Sequence, residues 1–106
     1  MDLAGLGRFA DPAVLILSSL AGGEKHGYAL VKDIADFADV RLGPGTLYGA
    51  LARLESRGLI EALEPVDRRR PYRLTALGAT TLKAQLDGLA GFAKVGLARL
   101  RGEGAR

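Results

Sequence analysis

The 106-residue chain has no cysteine and no tryptophan, a single histidine and a single methionine. Without cysteine there is no disulfide framework and no thiolate metal site, and the redox compartment is left open. His26 alone would have to anchor any metal together with scattered carboxylates, so neither a metal nor another cofactor is expected. Long apolar runs are missing too. The longest, Ala13 to Leu17, falls far short of the ~18 residues that a membrane span requires. The opening Met1-Asp2-Leu3-Ala4 lacks a basic stretch ahead of an apolar core, so no secretory signal is expected and a cytoplasmic chain without a membrane partner is the default. No paired carboxylates stand out, Gly43-Pro44-Gly45 is not a Walker-type loop, and Ser18-Ser19 sit in an apolar helix with no base nearby in sequence. An enzyme is not expected.

What is present is a globular composition, 48% hydrophobic, in a length that suits one domain. A monomer of this size buries only about two-thirds of its unfolded surface and gains from association. The net charge of +3 says little, but its distribution says more. Between positions 41 and 73, seven arginines (41, 53, 57, 68, 69, 70, 73) face four acids (55, 61, 64, 67), the local basicity of a nucleic-acid-binding surface.

Residues 1–10, with Gly5 and Gly7, read as a loose arm or an extra segment that depends on a partner. Asp11-Pro12 is a helix entry, Asp as N-cap and Pro at the first helical position. The helix it opens is apolar nearly all round through Val14, Leu15, Ile16, Leu17 and Leu20, which buries it between layers or against a partner, and Gly22-Gly23 ends it. A second helix runs from about His26 to Phe37, burying Leu30, Ile34 and Phe37 and turning Lys32 and Asp36 outward. Lys25, His26 and Tyr28 stand at its N-terminus, where free N–H groups and the dipole favour a phosphate.

After a short link comes the stretch 43–58. Pro44 suits the first helical position, Leu47, Leu51 and Leu54 form one apolar stripe, and Gly58 suits the left-handed stop, with Leu59 folding back on Leu54. The opposite face carries Gly45, Thr46, Gly49, Ala52, Arg53 and Ser56, with Tyr48 on the flank; it is small, polar and basic, a shape for the DNA major groove. Leu59 to Glu64 and Pro71 to Leu74 read as strands around a turn at 65–70, making a two-stranded wing whose tip is Asp67-Arg68-Arg69-Arg70. Three adjacent arginines cannot all pair with Asp67, so a polyanion is the natural neighbour. Thr75 caps a final helix over 76–101. There Leu82, Leu86, Leu89, Ala93, Gly96 and Leu100 fall at spacings of 4 and 3, a coiled-coil seam, and four interior glycines argue that the helix needs a partner, a second copy of the chain. Residues 102–106 are expected to fray. The fold class is mainly α with a small two-stranded wing (α+β): a winged helix-turn-helix core over 11–75 with a C-terminal dimerisation helix, all one domain.

His26-Gly27-Tyr28, Gly45-Thr46-Leu47-Tyr48 with Leu51 and Arg53-Leu54-Glu55, Gly58-Leu59-Ile60, and Arg70-Pro71-Tyr72-Arg73-Leu74-Thr75 with Gly78 together resemble the PadR family of transcriptional regulators over about residues 11–80. The resemblance implies a homodimeric repressor on a palindromic operator, joined mainly through its last helix, with Tyr48 and the residues near Thr46 approaching DNA. Position 49 is Gly where the family usually has Pro, and the chain lacks the tryptophan with which some small members stack flat ligands.

The expected DNA-binding residues are Lys25, Tyr28, Lys32, Thr46, Tyr48, Arg53, Arg68, Arg69 and Arg70, with Arg53 the candidate for bidentate guanine contact. Double-stranded DNA and a second copy are the expected partners. A small apolar effector at the dimer seam, against Leu86, Leu89, Phe92 and Ala93, is a further expectation. The rival reading is a winged-helix module that docks a protein and never reads DNA.

Overall fold

The computed structural model describes residues 11–102. The arm expected over 1–10, and all but the first residue of the tail expected over 102–106, lie outside them. In chain order the elements are α1 (Pro12–Ala21), β1 (Lys25–His26), α2 (Gly27–Ala38), α3 (Pro44–Ser56), β2 (Ile60–Ala62), β3 (Pro71–Leu74) and α4 (Ala76–Leu100).

α1 is the hub. The Asp11 carboxylate accepts from the N–H groups of Ala13 (2.8 Å) and Val14 (3.1 Å), fixing its start. Its greasy circumference then meets α2, α3, α4 and β3, with Leu15, Ile16, Leu17 and Leu20 buried. Ser19 is the buried polar exception, and its hydroxyl donates to Asp33 Oδ2 of α2 at 2.6 Å. α2 contributes Leu30 and Ile34 to the core but not Phe37, which is 52% exposed. The stripe expected to end in Phe37 stops a turn early because α2 is leaving the core there, and the helix closes at Asp39 in the left-handed region (φ 54°).

α3 ends as its sequence dictates. Leu59 N–H donates to Leu54 O and Gly58 N–H to Glu55 O, both at 3.0 Å, with Gly58 at φ +75°: the Schellman pattern. Leu47, Ala50, Leu51 and Leu54 are buried beneath it.

The sheet has three strands rather than the expected two, in the order β1-β3-β2, all antiparallel. β1 is two residues long, so no alternation announces it; it forms because β3 presents an open edge, on which Lys25 pairs with Tyr72 and His26 with Pro71. Beyond Ala62↔Tyr72 the hairpin continues to a bridge at Val66↔Arg69. Between these two pairs, residues 63–65 on one arm oppose only 70 and 71 on the other, a bulge that bends the wing. At its tip Asp67 (φ 50°) and Arg68 (φ 67°) both occupy the left-handed region, the type I′ geometry that Asn-Gly normally fills.

α4 begins with no linker after β3. Thr75 Oγ1 accepts from Gly78 N–H (3.0 Å) and donates to Gly58 O (2.7 Å), while Thr75 N–H donates to Leu59 O (3.1 Å). Gly78 is buried against the same carbonyl: a Cβ there would lie 2.0 Å from Leu59 O. Leu82, expected in the dimer seam, is instead buried in the chain's own core, one turn after Gly78. The seam open to a partner therefore starts at Leu86. From Lys83 onward only Leu89 and Ala98 are even half-buried among the described residues, and the helix projects. The radius of gyration is 16.1 Å, whereas a compact domain of this length has about 13 Å.

Candidate nucleic-acid interface

Helical geometry sorts α3 into a buried stripe and an open face, and Thr46, Tyr48, Ala52, Arg53 and Ser56 are on the open one. Gly49 lies between them. A Cβ at position 49 would be 3.6 Å from Arg53 Nη1, so the arginine lies back over the bare backbone of the preceding turn. Among the described residues neither Arg53 nor Arg68 has a carboxylate partner, whereas Arg73 is paired across the hairpin with Glu61. Tyr28 and Lys32, one turn apart on α2, are exposed.

The wing and the helix pair meet in a cleft of about 410 Å³ lined by His26, Gly27, Tyr28, Tyr48, Arg68, Arg69, Arg70 and Tyr72. All three tyrosines of the chain thus face all three tip arginines. Arg70 Nη1 donates to Leu63 O (2.8 Å), fixing one side of the wing, and Arg69 lies over the Tyr28 ring at 5.9 Å, a cation–π contact. Burial, then Glu55 and Tyr48, raises the pKa of the Tyr72 hydroxyl above its ordinary value, with Arg70 opposing. At neutral pH the hydroxyl therefore stays a protonated hydrogen-bond donor.

The structure gathers Tyr28, Tyr48, Arg68, Arg69 and Arg70 into this cleft and leaves Thr46, Arg53 and Lys32 exposed on α3 and α2. It withdraws Lys25. That ammonium donates to Ser19 O (2.6 Å) and Gly23 O (3.2 Å) and lies 3.9 Å from Asp33, so it closes the end of α1 instead of reaching for phosphate. The physical reason is the helix end itself: α1's last carbonyls have lost their i+4 partners, Ser19 O accepting from Gly22 N–H (3.1 Å) and keeping a second lone pair, and a cation shortly after them in the chain can fold back to it. Three cleft residues lie outside the expected DNA-binding set: His26, Gly27 and Tyr72. His26 is marked in the sequence by its place at the N-terminus of α2, whereas only co-occurrence in the motif stretches points to Gly27 and Tyr72, since the cleft depends on β1 pairing with β3.

Of the expected effector pocket, Leu86 borders a groove of about 400 Å³ with Ala21, Leu74, Ala79, Leu82, Lys83 and Asp87. Among the described residues no three His, Asp or Glu side chains gather as a metal would need, and no helix is long and apolar enough to cross a membrane.

Two helices joined by a short turn, the second with an open polar face and followed by a basic hairpin, define a winged helix-turn-helix protein. The family described as "Transcriptional regulator PadR-like family" matches residues 16–84, more than half of the chain. The chain belongs to the PadR-like family of transcriptional regulators, which act on DNA and are not enzymes. It is 45% identical over 83 residues to an uncharacterised 37.1 kDa protein in a transposon of Streptomyces fradiae, covering 78% of this chain and 24% of that one. It is 39% identical over 70 residues to the transcriptional regulator Rv3488 of Mycobacterium tuberculosis, covering 63% and 64%. The chain thus spans about a quarter and just under two-thirds of the lengths of these relatives. Among solved structures, a PadR family transcription regulator from Clostridium difficile superposes with a TM-score of 0.76 at 29% identity, covering 84% of this chain and 97% of that one.

Gly27 has a role of its own in this cleft. A Cβ there would lie 2.7 Å from Tyr48 Oη and 3.4 Å from its ring. Gly27→Ala is expected to push the Tyr48 ring aside, weakening DNA binding about fivefold, the loss of one hydrogen bond of ~1 kcal/mol, while the melting temperature changes little. Equal affinity in a binding titration would show that Tyr48 does not need its seat on α2.

Proposed function

We propose that the chain is a homodimeric repressor that reads a palindromic operator. In this reading Thr46, Tyr48 and Arg53 enter the major groove, with Arg53 on guanine, and Tyr28, Lys32, Arg68, Arg69 and Arg70 hold flanking phosphates and set register. The observation that carries it is the junction of the open α3 face with a cleft where three tyrosines meet three arginines. Tyrosine hydroxyls and guanidinium groups are donors, and a phosphate backbone offers only acceptors.

Dimerisation through α4 is supported by its exposed apolar side chains, among them Phe92 (78%) and Leu100 (86%), and by Leu86, Leu89, Ala93 and Gly96 on the remaining seam. A glycine-bearing helix of this length gains its stability from packing rather than propensity. Pairing along it would set two α3 helices about 34 Å apart, one turn of DNA. An apolar effector seated at Leu86, Leu89, Phe92 and Ala93 would act by altering that pairing, in the cytoplasm where the operator lies.

Selection of bound fragments from random duplexes at two salt concentrations tests the reading. A palindromic motif is expected, with affinity falling steeply as salt rises. In the same selection Arg53→Ala is expected to lose base preference while retaining non-specific binding. Recovery of no motif and no salt dependence would favour the protein-docking alternative.

A further inference from the structure

His26 belongs to two elements at once, as the last residue of β1 and the N-cap of α2. As N-cap its Nδ1 accepts from the N–H of Ala29 at 3.4 Å. A ring nitrogen that accepts carries no proton, so in the neutral imidazole the proton is on Nε2. That nitrogen faces Nη1 of Arg69 at 3.4 Å. A guanidinium has only donors. In the tautomer that accepts the Ala29 N–H, both groups are donors, and an acceptor placed between them would serve both.

Arg69 is held in this position. Its Cζ lies 5.9 Å over the Tyr28 ring, and the Tyr28 ring is stacked against His26 with centroids 6.5 Å apart and planes inclined by 19°. Imidazole, phenol and guanidinium form one cluster on the cleft wall. His26 also pairs with Pro71 at the foot of the wing, so the cluster joins the wing to the helix pair. Two convergent N–H groups and one positive charge make half of an anion site. An oxyanion would accept from both.

We propose that His26 and Arg69 grip one backbone phosphate of duplex DNA between Nε2–H and the guanidinium, with Tyr28 positioning Arg69. The clamp rests on the reading that this face binds DNA. A polymer-borne phosphate fits better than a free anion, because Arg68 beside the clamp has no acidic partner among the described residues and calls for a neighbouring charge along the same strand. The Tyr72 hydroxyl on the same cleft stays neutral, so it adds no negative charge against the phosphate.

The test separates the cap from the clamp. His26→Asn and His26→Asp both keep an N-cap acceptor for Ala29 and both remove the Nε2–H. Binding to a fluorescent duplex is measured across a salt series, with melting temperatures alongside. His26→Asn is expected to weaken binding about tenfold, as for a hydrogen bond to a charged group, with a smaller change of salt slope than the loss of an arginine brings. His26→Asp should weaken binding further, since it places an acid beside the phosphate. Arg69→Gln should flatten the log–log slope by about one. In His26→Asn/Arg69→Gln the combined loss should be smaller than the product of the single losses, because both residues act on one phosphate. Unchanged affinity in folded His26→Asn, or losses that simply multiply, would overturn the clamp and leave the DNA reading standing. Absence of salt-dependent binding by the unmodified protein would remove both.

Discussion

Gly78→Ala is expected to destabilise the protein by about 2–3 kcal/mol, the range of overpacking in a closed core, and to lower the melting temperature by roughly 10 °C at fixed protein concentration. The cause is the close approach of α4 to the turn after α3. The added methyl would sit 2.0 Å from Leu59 O and 2.9 Å from Leu74 Cδ1, and Leu59 O is backbone that also accepts the Thr75 N–H. Moving it strains the turn after α3 and the entry to α4 together. The same substitution at Gly88, where a Cβ meets nothing within 4 Å, should act in the opposite direction and raise stability by up to ~1 kcal/mol through helix propensity. Thermal melts of the two variants decide the matter: equal shifts would mean that α4 does not bear on the β2 entrance at all.

Ala93→Asp is the second large effect. Position 93 is exposed in the chain, so the fold should survive, as far-UV circular dichroism would report. Across a two-fold seam the carboxylate would be buried unpaired, or face its mate, and either state opposes association. The protein is expected to become monomeric in analytical ultracentrifugation. Operator affinity should fall by about 10²–10⁴, the gain that linking two binding units brings, while binding to a half-site changes little. A dimer that persists in Ala93→Asp would place the interface on another surface.

The parts of the fold legible in the sequence are those with local chemistry at their ends. Asp11-Pro12, Pro44, Gly58 and Thr75 each satisfy or release backbone groups at a helix terminus, and the helices start and stop there. Pro71 opens β3 because an N–H is missing where the strand begins. The illegible parts depend on neighbours distant in sequence. β1 is only two residues and exists through β3. Lys25 turns from solvent to the carbonyls of α1. Phe37 and Leu82 are as apolar as Ile34, yet Phe37 is exposed and Leu82 internal, because the packing layers end before the first and reach the second. Gly78 reads as a weak point in a helix and is a contact surface. For the candidate site, the exposed residues of α3 and the arginine tip could be named from the chain. The cleft could not, since His26, Tyr48 and Tyr72 come together only when the wing folds onto α2.

The absence of a linker between β3 and α4 makes the last helix a stiff lever. Its 25 residues extend ~37 Å at ~1.5 Å per residue. It is fastened at one end by Thr75, Gly78 and Leu82. In a pair joined along the free ends, a tilt of ~10° between levers of that length would shift the two reading heads by ~6 Å relative to one another, nearly two steps of the ~3.4 Å duplex repeat. In the proposed dimer, gearing of this kind would turn a sub-ångström change in side-chain packing near Leu89 into a mismatch with the operator's pitch, with no rearrangement inside either head.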